Sequence, residues 1–123
     1  MGRLGFVDGH DRPRVLPVTY AVCDGALWSA IDRKPKRTAE PARVRYLRRR
    51  PEAALTVDHY SEDWRKLAWV QVLGRVDVIA AAEAAAALDA LARKYEPYRT
   101  EPPPGPLLRL TPERTIFWSA AAL

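Results

Sequence analysis

One cysteine, one methionine, two histidines and six glycines are all that this 123-residue chain holds of those types. With Cys23 alone, an internal disulfide framework and a cysteine-rich zinc site are excluded. His10 and His59 would have to recruit distant groups to build a conventional metal site, so no metal is expected. No apolar run approaches the ~20 residues that span a bilayer. The opening Met1-Gly2-Arg3-Leu4-Gly5-Phe6 lacks the apolar stretch and cleavage site of a secretory signal, which makes the cytosol the expected compartment. The few glycines form neither a phosphate loop nor a dinucleotide fingerprint, and no Ser/His/Asp signature is present. Hydrophobic residues at 48% and charged residues at 28% are ordinary globular usage, so wholesale disorder is excluded. The length fits a single domain over residues 1–123.

What the chain does have is positive charge in one place. Residues 33–50 hold nine of the 20 basic side chains against one acid, Glu40, for a local charge of +8. The remaining 11 basic and 14 acidic residues sum to −3. Such a cluster points to an anionic partner: a phosphorylated cofactor, a nucleic acid or an acidic lipid.

The hydrophobic patterning predicts mostly strands. Residues 3–7 form a first one, and Asp8-Gly9-His10-Asp11 reads as a turn. Residues 14–22 form a second, in which Pro17 cannot donate to a ladder and so demands an edge position or a bulge. Asp24-Gly25 is a hairpin signal before the returning strand at 26–31. A short basic helix follows, with Thr38 as its cap, Pro41 in its first turn, Val44 and Leu47 on one face, and Pro51 as its stop. Leu55 and Val57 alternate with Thr56 and Asp58 in a strand over 53–59, and a long strand over 67–79 contains Gly74, the mark of a bulge. Nine alanines with Leu88 and Leu91 predict a helix over 80–95. Five prolines between 97 and 106 predict a stiff extended connection, followed by two last strands at 107–110 and 115–120. The expected class is mainly β with α+β decoration: an antiparallel barrel of about six strands, one Ala-rich helix and one short basic helix.

Chemistry is suggested in few places. Lys34-Pro35-Lys36-Arg37 follows a strand end and precedes a helix N-terminus, where cations and free N–H groups make a phosphate seat. The arginines at 43, 45 and 48–50 are either a solvated face or a platform for a longer polyanion. Trp28, Trp64, Trp69 and Trp118 read first as core, and otherwise as a wall against a planar ring. Asp58-His59 offers a proton donor, although a single histidine at a strand end is more often a satisfied polar residue. Cys23 has no neighbouring base in sequence. A phosphate-tracking groove for nucleic acid is the rival reading, but no recognisable nucleic-acid module accompanies the charge.

Taken in order, certain strings are familiar. They are Arg12-Pro13-Arg14-Val15-Leu16-Pro17-Val18-Thr19-Tyr20, then Leu27-Trp28-Ser29-Ala30-Ile31-Asp32-Arg33-Lys34-Pro35-Lys36-Arg37-Thr38. Pro51-Glu52-Ala53-Ala54-Leu55-Thr56-Val57-Asp58-His59-Tyr60, the Trp64 and Trp69 pair, Lys94-Tyr95 with Tyr98, and Phe117-Trp118-Ser119 follow. This order resembles the split β-barrel, FMN-binding-like flavin and deazaflavin reductases. These are the pyridoxamine 5′-phosphate oxidase-like proteins of actinobacteria, in particular the class that uses coenzyme F420. The resemblance implies a homodimer with cofactor clefts at the subunit interface. It implies that Lys34 and Lys36, with Arg37 close by, hold the cofactor phosphate. The ring would lie along the main chain of Pro17, Val18 and Thr19, with Ser29 and Ala30 beneath and Trp69 and Trp118 bordering the cleft. Members of that class usually begin with a helix ahead of the first strand, and this chain starts almost at that strand. The implied activity is hydride transfer from reduced F420, or alternatively FMN binding, toward a small enone, imine or similar electrophile. A non-catalytic carrier is the lesser alternative, and neither nucleic acid nor membrane is an expected partner.

Overall fold

The computed structural model describes residues 1–31 and 40–122. Seven antiparallel strands make one sheet: β1 (Gly2–Val7), β2 (Pro13–Val18), β3 (Ala21–Cys23), β4 (Ala26–Ser29), β5 (Glu52–His59), β6 (Ala68–Ile79) and β7 (Leu107–Ser119). Their order is β2-β1-β5-β6-β7-β4-β3. The two edges, β2 and β3, are separated in sequence only by Thr19 and Tyr20. Two residues reach at most about 7 Å, so the edges must lie side by side and the sheet must roll into a barrel. The expected strand over 14–22 is therefore one run of chain split between two ladders. It pairs with β1 up to Val18 and with β4 from Ala21 onward. Pro17, as expected, lies on an edge strand.

Alternation along each strand sorts side chains into two cores. Leu4, Phe6, Val18, Leu55, Val76, Leu108 and Leu110 point into the barrel. Helix α1 (Ala42–Arg49) plugs it with Val44 and Leu47, both fully buried. Each such side chain contributes about 1.5–3 kcal/mol by leaving water. The opposite face of β4 meets helix α2 (Ala85–Lys94), where Trp28 and Ala30 pack with Ala87, Leu91 and Leu107. The turn between β1 and β2 is held by Asp8, whose carboxylate accepts N–H bonds from His10 at 2.8 Å and Arg12 at 3.0 Å. Those bonds, the one from Arg12 foremost, hold the carboxyl below its ordinary range, with Arg14 adding to the effect. The Asp24-Gly25 hairpin forms as expected, both residues at positive φ (51° and 75°), as a tight turn of the primed type requires.

Four expectations need correction. Thr38 lies outside the described residues, and α1 starts only at Ala42, so Pro41 is its flanking residue, with ψ of 147°, rather than part of the first turn. The Ala-rich helix begins at Ala85, after a separate 3₁₀ turn at Ala81–Glu83, because alanines carry no capping group to fix a start. The proline segment is not extended throughout: Pro97 sits at the first position of a short helix, α3 (Pro97–Thr100), where a missing N–H costs nothing. The two final strands are one. Pro112 falls opposite Gly74 and Arg114 opposite Leu73, so a bulge at Glu113 carries one continuous strand past the proline.

Gly74 is fixed by that close approach. A Cβ there would sit 2.0 Å from the Thr111 carbonyl oxygen and 2.9 Å from its carbon, both main-chain atoms that cannot turn aside. Gly74→Ala is expected to cost about 3 kcal/mol or more. Denaturant unfolding checks it, and a cost below roughly 1 kcal/mol would contradict the bulge geometry.

Candidate functional site at the barrel seam

The edge that closes the barrel is the place where main chain passes out of one ladder before it enters the next. Pro17 is exposed and pairs only with Arg3. Val18 sends its side chain into the core, so its backbone is what it can offer. Thr19 belongs to neither ladder, and its hydroxyl lies 3.0 Å from that of Tyr98. In the β3–β4 ladder Ala21 is opposite Trp28, and Ser29 and Ala30 continue the chain just beyond that last pair. Both are buried. Ala30 packs its methyl toward α2, whereas Ser29 lies opposite Leu108 and its Oγ has no hydrogen-bond partner among the described residues. Such an orphaned buried hydroxyl costs about 1–3 kcal/mol unless something fills its valence. Lys34, Lys36 and Arg37, the expected phosphate seat, lie outside the described residues.

Trp69 and Trp118 face each other directly on β6 and β7, in register. At the usual strand spacing they stand three and four strands from β2, about 14 and 19 Å across the sheet. The structure thus places Pro17, Val18 and Thr19 where β2 ends, Ser29 and Ala30 just past the β3–β4 pairing, and the two tryptophans together elsewhere. Of the four tryptophans only Trp28 is core. Trp64 is 72% exposed and Trp69 38%, which corrects the first reading of them as interior. Trp69 and Trp118 line a hollow of about 330 Å³ with Val57, His59, Val70 and Phe117, the last 75% exposed.

The arginine face is less free than its sequence suggests. Arg48 pairs with Glu40 at 2.7 Å, and Arg50 pairs with Asp11, from the β1–β2 turn, also at 2.7 Å. Arg45 donates to the Glu40 carbonyl and Arg49 to that of Gly9. A second hollow of about 390 Å³ between α1 and β6 is lined by Arg48 and Arg75. There Arg75 is bridged to Glu52 at 2.9 Å. Partial burial, then the neighbouring Asp24, push the Cys23 thiol pKa up, which disfavours the thiolate form. Among the described residues no three His, Cys, Asp or Glu side chains converge as a metal site would require. None of the described helices is long and apolar enough to cross a membrane.

The model of the family described as pyridoxamine 5′-phosphate oxidase matches residues 1–119. The chain belongs to the pyridoxamine 5′-phosphate oxidase family. No curated protein matches it in sequence. Among solved structures it is similar to the conserved hypothetical protein Rv2991 from Mycobacterium tuberculosis, at 17% identity and a TM-score of 0.77, over 98% of this chain and 77% of that one. An FAD-binding protein from Mesorhizobium loti is similar at 20% identity and a TM-score of 0.68, over 94% and 81% of the two chains. The heme storage protein HutZ from Vibrio cholerae is similar at 13% identity and a TM-score of 0.73, over 96% and 84%. At these identities the likeness establishes the fold, a split barrel of this family's kind.

Sequence reasoning missed what holds the seam in place. Tyr95 and Tyr98 reach it from beyond α2, together with Lys94. A signal exists in Lys94-Tyr95-Glu96-Pro97-Tyr98, two hydroxyl-bearing rings three residues apart after an alanine helix, but its target is 75 residues or more away in the chain.

Ser29→Ala is expected to leave the melting temperature unchanged or higher, since it removes a buried polar atom with no partner among the described residues, and thermal unfolding reads the effect. A melting temperature several degrees lower would show that the hydroxyl has a partner inside the protein.

Proposed function

We propose that this protein is a deazaflavin-dependent oxidoreductase that holds coenzyme F420 at the barrel seam and works as a homodimer, with FMN as the alternative cofactor. The observation that carries the reading is the seam itself, in a chain whose family match spans residues 1–119. A proline-bearing edge strand leaves main chain available at Pro17, Val18 and Thr19, and the buried Ser29 hydroxyl, one residue past the Ala21–Trp28 pair, has no partner among the described residues. A flat ring with hydrogen-bonding edges suits that combination of exposed main chain and one unsatisfied hydroxyl. Ile31 leads directly into the segment carrying Lys34, Lys36 and Arg37, the cations proposed for the phosphate.

F420 when bound and reduced supplies a hydride to an electrophilic carbon, such as that of an enone or imine, with the final proton taken from solvent or a nearby acid. The chain's own residues bind and orient. Pro17, Val18 and Thr19 give the ring a rigid backbone edge, and the cations after β4 fix its phosphate. Arg43, Arg45 and Arg49 have no acidic partner among the described residues and remain for the carboxylates of an F420 tail. Dimerisation is supported by the apolar side chains on both faces of the β5–β6–β7 end. Val57, Val70 and Phe117 share one face and Trp69 and Trp118 the other, and Phe117 is largely exposed. A partner laid there would border its own cleft with the tryptophans that one chain keeps apart from the seam.

Heme binding is a second reading, favoured by His59 on the rim of the apolar hollow beside Trp69, Trp118 and Phe117, and by the likeness to HutZ. Titrating F420, FMN and heme at two ionic strengths, with the mass measured by light scattering, separates the readings. The expected result is a particle of twice 13.8 kDa that binds F420 more tightly than FMN, by about tenfold at low salt and less at high salt, because exposed tail contacts are screened over roughly 10 Å at 0.1 M. Equal FMN affinity at low salt would make the protein a flavin binder. Tight heme binding that His59→Ala abolishes, with neither F420 nor FMN bound, would replace the proposal.

A further inference from the structure

At a ladder position, a residue's N–H and C=O are satisfied by neighbouring strands. Tyr20 has left the β2 ladder and has not yet entered that of β3, so its groups need other partners. Side chains supply both. The Tyr95 hydroxyl accepts the Tyr20 N–H at 3.1 Å, and the Lys94 ammonium donates to the Tyr20 carbonyl at 2.9 Å. That ammonium also sits 3.3 Å from the centroid of the Tyr20 ring and 5.4 Å from that of Tyr95. Tyr98 meets the Thr19 hydroxyl at 3.0 Å, and its ring stands edge-on to Tyr95 with centroids 5.7 Å apart. Lys94 ends α2, Tyr95 follows it, and Tyr98 lies in α3, so the junction of the two helices grips both seam residues. No turn or loop hydrogen bond to another described main-chain group engages the N–H or C=O of Thr19.

We propose that Lys94, Tyr95 and Tyr98 are positioning residues: by fixing Thr19 and Tyr20 they set the direction in which the Thr19 peptide faces the bound cofactor ring. The inference rests on the proposed function, because it takes the seam as the ring's edge. The grip costs the ligand nothing at binding, since the seam is ordered before the ring arrives, and a loosened seam would have to be ordered by the ligand. Lys94 carries the discriminating substitution because it is exposed and its stem is not part of either core. Arginine keeps a cation and a donor there, while methionine keeps only the stem.

The test measures FMN and F420 affinity, the absorbance shift of the bound ring and the melting temperature for Lys94→Met, Lys94→Arg, Tyr95→Phe and Tyr98→Phe in the full chain. The expected result is affinity about five- to tenfold weaker in Lys94→Met and in each Phe variant, with an altered absorbance of the bound ring, the loss scale of one or two hydrogen bonds. Lys94→Arg is expected to recover most of the affinity. Should a tyrosine variant fail to fold, the exposed Lys94 pair decides alone. Affinity and ring absorbance unchanged in the variants, with only the melting temperature lowered, would overturn the inference and leave the proposed function standing. Wild-type protein that binds neither cofactor would overturn the proposed function, and the inference with it.

Discussion

The structure turns on one stretch of chain serving two ladders. Residues 13–23 pair with β1 and then with β4, and only Thr19 and Tyr20 separate the two pairings. That short link forces the sheet to curl until its edges meet. A curled sheet has an inside, which the alternation of Leu4, Phe6, Leu55 and Val76 fills and α1 closes. The outer face of β4 is then left to α2, and from there Lys94 and Tyr95 return to the seam. The opening that lets a ligand reach main chain is thus a by-product of how the barrel closes. Edge strands usually invite aggregation, and here Pro13 and Pro17 remove two N–H groups from the exposed one.

Charge has a smaller part than its density implies. The arginine run looks in sequence like a free cationic platform. In space Asp11, brought in by the β1–β2 turn, and Glu40 neutralise two of its members. These pairs are exposed, each contributing about 0–1 kcal/mol, so they settle orientation more than stability. In the proposed function, anion recognition falls to Lys34, Lys36 and Arg37, with the helix as an auxiliary.

Much of the fold is legible in the sequence because strand alternation is local. Leu55 and Val57 mark β5 without any knowledge of their partners, and Asp24-Gly25 announces its hairpin through backbone chemistry alone. What the sequence hides is non-local. Residues 14–22 read as one strand because propensity cannot show that the pairing partner changes at Thr19. Residues 107–120 read as two because Pro112 looks like a break until Gly74 is placed opposite it. For the candidate site, Pro17 was legible as an edge residue. The orphaned state of Ser29 and the exposure of Trp69 were not, since both depend on what other strands leave uncovered. The grip on Tyr20 spans 74 and 75 residues of sequence and exists only in the folded chain.

The central claim is that the cofactor ring lies at the seam, and amide chemical-shift mapping during an FMN or F420 titration tests it most directly. The account predicts that the largest shifts fall on Val18, Thr19, Tyr20, Ala30 and Ile31. Shifts confined to residues 57–59, 68–70 and 117–119, around the apolar hollow, with the seam amides unmoved, would contradict it.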